Sequence, residues 1–150
     1  MASSKFQDVR ANLNTLITAR FTTDSITGVD VFEYGPTGNA TREDQVWFGR
    51  ITVDQEGLTM GGTSRVVGET LTIELSVRAP RSGGDQDDMK LAEQRAEAIW
   101  ASIENAIRNG STVNSTVMFS EIVTFESIPD FDAEGAIGTI EASIVAESNI

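Results

Sequence analysis

The chain has 150 residues, 39% of them hydrophobic and 23% charged, enough for one domain with a two-layer core and too ordinary a composition for global disorder. Its formal charge is −12, from 11 basic and 23 acidic residues, and a surface of that sign repels nucleic-acid phosphate and anionic lipid. Cysteine and histidine are both absent, which excludes disulfides, thiolate nucleophiles, zinc sites of the usual kind, imidazole acid–base chemistry and the serine–histidine triad.

The opening MASSKFQDVRANLNTLITAR is charged and amphipathic, unlike a signal peptide, and no apolar run approaches the length of a membrane span. The expected setting is cytosol-like, or the inside of an assembly. A first helix is predicted from about Ser4 to Arg20. Ser4 and Gln7 have the spacing of a capping box, and Phe6, Val9, Leu13, Leu16 and Ile17 fall on one face. Gln7, Asp8, Asn12 and Asn14 occupy the other. TTDSITG then reads as a turn cluster.

Two strands follow. VDVFEYGP (29–36) is β-branched and aromatic and stops at Gly35–Pro36; QVWFGRITV (45–53) comes after a polar loop. Strict alternation in the second puts Val46 and Phe48 on one face and Trp47, Ile51 and Val53 on the other, a strand with two surfaces to cover. Residues 54–68, DQEGLTMGGTSRVVG, are glycine-rich yet carry Leu58, Met60, Val66 and Val67. A structureless loop of that length is uncommon, and the apolar residues fit an extended arm or β-ribbon that docks on a partner better than a solvated linker.

The stretch from Glu69 to Gly110 holds the clearest patterning. Leu71, Ile73, Leu75 and Val77 alternate with polar residues, the signature of a half-buried strand. After the turn APRSGGD, Asp85 is a suitable N-cap, with Asp87 and Asp88 in the first helical turn. Met89, Ala92, Ala96, Ile99, Trp100, Ile103, Ala106 and Ile107 share one helical face; Glu104 and Arg108 form an i, i+4 pair, and Asn109–Gly110 supplies the stop. Leu91 and Ala98 lie on the far side, exposed unless another chain covers them. STVMFSEIVTFES (115–127), apolar on both faces, and GAIGTIEASIVAE (135–147) complete the strands. The expected fold is α+β, in the order α-β-β-β-α-β-β, with a mostly antiparallel sheet, both helices on one face and a long β-arm between the second and third strands.

One local motif bears on chemistry. DFDAEGAIGTIE, with Asp130, Asp132, Glu134 and Glu141, follows the calcium-loop pattern except that Glu134 stands where Asp or Asn is usual. Its flanks are strand-like and an EF-hand needs helices, so an acidic hairpin turn is the better reading. No phosphate-loop or dinucleotide motif is present, no two carboxylates stand out as a catalytic pair, and no catalytic residue, metal or cofactor is expected. Trp47 and Trp100 read as core or interface aromatics.

The leading amphipathic helix, the VFEYGPTGNATREDQVWFGRI stretch, the long loop, the acidic residue opening ETLTIELSVR, the GGDQ-type loop and the helix with its AEQRAEAIW run together resemble the tail terminator (tail completion, or neck) proteins of long-tailed bacteriophages. The resemblance spans essentially the whole chain as a single domain, 1–150, and lies in element order and texture. It implies a non-enzymatic virion assembly protein: a homo-hexameric ring that caps the tail tube, stops its growth and presents a face to the head–tail connector or stopper protein. It implies host cytoplasm during assembly and the neck of the virion afterwards, with DNA passing through the lumen without specific binding and no membrane contact. Six copies would multiply the −12 charge sixfold, which suits a lumen that DNA must not stick to. From the residues alone, Leu58, Met60, Val66, Val67, Leu91, Ala98 and Trp47 are the candidate interface positions. The rival readings are another neck or tube component and, in a different class, a calcium-binding module at 130–141.

Overall fold

A computed structural model describes residues 6–35, 43–59, 65–109, 119–132 and 134–149. Its elements run α1 (Phe6–Thr23), β1 (Val29–Phe32), β2 (Asp44–Thr59), β3 (Arg65–Ser82), α2 (Gln86–Asn109), β4 (Phe119–Asp132) and β5 (Gly135–Asn149). The strands form one sheet in the order β1-β2-β3-β5-β4, in which β1 pairs parallel with β2 and every other pairing is antiparallel. This is the α+β layout expected from the sequence.

Helix α1 buries Val9, Leu13, Ile17 and Phe21, one residue per turn. It runs past Arg20 to Thr23, and the Thr22 and Thr23 hydroxyls donate back to the Thr18 and Ala19 carbonyls. The stop is a Schellman motif in which Ser25 takes the left-handed conformation (φ 58°). The Ile26 N–H donates to the Phe21 carbonyl (2.8 Å) and the Ser25 N–H to that of Thr22 (3.3 Å). Ser4, the expected cap, lies outside the described residues. Helix α2 opens on a reciprocal box: the Asp88 N–H donates to Asp85 Oδ1 (2.9 Å), and the Asp85 N–H to Asp88 Oδ2 (3.3 Å). All eight apolar residues assigned to its inner face are buried.

Both helices pack on one face of the sheet, where α1 and α2 join Leu71, Ile73, Leu75, Val77, Ile140 and Ile144 in a continuous core. The fit of α2 on β5 depends on small residues. Ala136, Gly138, Ala142 and Ala146 line that face, and a Cβ on Gly138 would stand 2.4 Å from the Ala92 carbonyl oxygen. No side chain fits between helix and strand there.

Two bulges correct the face assignments read from strict alternation. In β2, Phe48 pairs with Leu75 but Ile51 with Ile73, so β2 spends one extra residue at Gly49–Arg50. The extra residue resets the phase: Ile51 and Val53 join Val46 and Phe48 on the helix-covered face and pack against the core. Of these residues only Trp47 points the other way, so β2 is not apolar on two faces. In β4 the register slips between Ile122 and Thr124, and beyond it Phe125 pairs with Ala142 on the helix side. The strands also outrun their predicted ends. Residues 54–59 and 65–68, expected as an extended arm or β-ribbon, continue β2 and β3 as a ribbon paired out to Thr59–Arg65. The APRS segment belongs to β3, its Pro80 lying beyond the last β2 pairing at Arg78, where no ladder bond to β2 is lost.

Candidate functional site

Asp44, at the start of β2, is a buried carboxylate. Its two carboxylate oxygens accept separately, from Arg81 Nη1 (3.0 Å) and Arg95 Nε (2.8 Å). Arg95 also donates to the Thr27 carbonyl and Arg81 to that of Pro80. One carboxylate thus ties β2, β3, α2 and the link after α1 together, and with its oxygens so engaged it has no general-base work to do. A second carboxylate, Asp24, accepts from Ser102 Oγ (2.8 Å) and Arg20 Nε (3.0 Å). The Ser102 hydroxyl first, and then Arg20, holds the Asp24 carboxyl below its ordinary range against a smaller desolvation effect. Asp85 is lowered chiefly by the Asp88 N–H it caps, whereas Glu43 is raised by its hydrogen bond and repulsion with Asp30. All of these groups fasten the fold.

The calcium-like run is drawn out along a hairpin. Asp130 and Asp132 end β4, Glu134 sits in the turn, and Glu141 lies six residues up β5 from Gly135, about 20 Å away. Asp132 Oδ1 accepts the N–H groups of Glu134 (2.8 Å) and Gly135 (3.0 Å), and its Oδ2 lies 3.6 Å from Arg78. The structure therefore does not bring the four acids together. Among the described residues no group of three or more acidic side chains is placed to hold a metal ion.

What remains are surfaces. The face of the sheet opposite the helices has no covering layer among the described residues. Here Trp47 sits half-buried, in register with Phe32 and Ser76. Beyond it a groove of about 380 Å³ runs across β3, β5 and β4 past Glu74, Glu126 and Glu141. Glu126 and Glu141 stand directly opposite each other, a like-charge pair that a sheet face does not gather for stability. Among the described residues nothing pairs with the outer edge of β4, nor with β2 beyond Trp47, since β1 pairs only with Asp44–Trp47.

The interface positions chosen from the sequence are scattered over these surfaces. Leu91, 55% exposed, and Ala98 lie on the outer side of α2, on the opposite face of the molecule from Trp47. Leu58, Val66 and Val67 belong to the β2–β3 ribbon, where Leu58 pairs with Val66, and are described by their backbone alone; Met60 lies outside the described residues. Missed from the sequence are the exposed aromatics Phe125, Phe131 and Tyr34, the last carrying the Arg10 guanidinium 4.5 Å above its ring. The β4 bulge concealed Phe125; no local pattern marks Tyr34.

No protein-family model matches this sequence, and no curated protein sequence matches it. Among solved structures the chain is similar to one from the virion of a native gene transfer agent particle. The two share 14% sequence identity and a TM-score of 0.62, over 94% of this chain and 94% of that one. At that identity the likeness is one of fold.

Proposed function

We propose that this chain is a structural component of a phage-type virion, and within it the tail terminator: a single domain that assembles as a hexameric ring, caps the tail tube, ends its growth and offers a face to the head–tail connector or stopper. The observation that carries the reading is the end-to-end likeness of fold to a chain of a gene transfer agent virion. Two sheet edges with no pairing strand among the described residues are surfaces that a lone protomer leaves unused and a ring can bury. The role is steric, with no catalytic step. In such a ring the acidic face around Glu74, Glu126 and Glu141 is the surface suited to line a lumen that DNA crosses without sticking.

The deciding experiment mixes the protein with polymerising tail-tube protein and follows tube length and ends by electron microscopy. Six-fold rings at the tips of tubes of arrested length are the expected result. A protein that stays monomeric beside unrestricted tubes counts against the proposal. Tubes built from this chain itself make it a tube subunit instead.

A further inference from the structure

On the helix-covered side, α2 stops short of the β4 edge and leaves a cleft of about 340 Å³. Trp100 forms its floor, with the Phe125 ring 5.3 Å away and about half exposed. The wall is a single stripe of α2 holding Glu93, Glu97 and Glu104. Glu104 pairs with Arg108, while Glu93 and Glu97 are exposed and have no cationic partner among the described residues. The Trp100 indole N–H is buried in the floor and donates to no acceptor among the described residues. A donor left unmet in a packed interior is uncommon.

The edge beside this cleft is selective. The bulge at Ile122/Thr124 interrupts β4 on one side, and Pro129, which has no N–H, on the other. Between them Thr124–Ile128 is a regular stretch whose outer edge pairs with none of the described residues, and its Phe125 and Ser127 border the cleft. An added strand here would send alternate side chains over an aromatic surface and against two unpaired carboxylates. Aromatic faces and carboxylates both attract cations, whereas a second copy of this −12 chain brings mostly like charge.

We propose that this cleft, with the outer edge of β4, receives an extended basic segment of a protein partner, which pairs with Thr124–Ile128 as a sixth strand and lays arginine or lysine side chains over Phe125 against Glu93 and Glu97. The mode is strand addition, in which main-chain bonds give affinity and alternate side chains give selectivity. It does not depend on the ring assignment.

The test titrates the whole chain, at physiological salt, into a fluorescein-labelled peptide alternating arginine and valine, with anisotropy as the readout. Saturable binding is expected. Replacing Glu93→Gln and Glu97→Gln together should weaken it about tenfold, and Phe125→Ala about fivefold. Replacing Glu74→Gln and Glu141→Gln together removes the same charge from the opposite face, on strands inside the β4 edge, and should change affinity less than about twofold. A peptide N-methylated at alternate backbone positions should lose binding. Equal weakening by the two glutamate pairs, undiminished binding of the N-methylated peptide, or no saturable binding to the unmodified chain would each overturn the proposal.

Discussion

On its helix-covered face the sheet is aliphatic and tightly filled, with Leu71, Ile73, Val77 and Ile144 fully buried and Gly138 pressed against the α2 backbone. On the opposite face the sheet presents Thr72, Glu74, Ser76, Glu126, Glu141 and Ser143, interspersed with Phe32, Trp47, Ile128, Ile137 and Val145. The first face is where stability resides, since each large aliphatic side chain buried there contributes about 2 kcal/mol. The second contributes little to folding and in places opposes it. Residues kept on a face that gains nothing from them are the ones to connect with assembly.

Four substitutions can break or sharpen this contrast. Gly138→Leu should cost the most, ~3 kcal/mol or more in urea unfolding, because a side chain there must lift α2 off β5. An unchanged urea midpoint would mean the helix is not seated as described. Asp44→Ala should cost about 2 kcal/mol, since it leaves Arg81 and Arg95 facing each other with partial solvent access. Addition of salt should recover part of that loss.

Ser102→Ala acts at the margin of the covered face. It removes the largest influence lowering Asp24, so the Asp24 midpoint followed by NMR should rise toward the ordinary 3.8. Because the folded value is depressed, the associated stability is present above that ordinary value and is lost as pH falls through the folded one; the variant should therefore differ from the parent at neutral pH and converge with it in strong acid. Glu141→Gln on the open face should have the smallest effect and the opposite sign. Relief of the repulsion from Glu126 should stabilise the chain by about 0.5 kcal/mol at low salt, as read by thermal melting. Destabilisation instead would give this face a structural role.

The covered face was largely legible in the sequence. The α2 stripe and the Leu71–Val77 alternation depend on local periodicity, and every residue assigned to them is buried. Periodicity fails where a strand gains a residue, which is why Ile51 and Val53 were expected on the wrong side and Phe125 went unnoticed. It also fails to report length in glycine-rich strands, so the ribbon of β2 and β3 was expected from its apolar residues without the points where its strands end. The Asp44–Arg81–Arg95 hub joins residues 37 and 51 positions apart, and no spacing rule reaches that far. Of the interface positions, exposure of Leu91 followed from the helical wheel; what it touches did not.

The extra residue at Gly49–Arg50 also limits how this strand can change in length. Loss of a single residue there would return β2 to an unbroken pleat and leave Ile51 two positions after Phe48, so Ile51 and Val53 would stay on the core face. Loss of one residue from the regular stretch Ile51–Val53, with the bulge kept, would instead reverse the face of every side chain on one side of the cut. The bulge is thus the place where β2 can shorten by one residue without emptying the core.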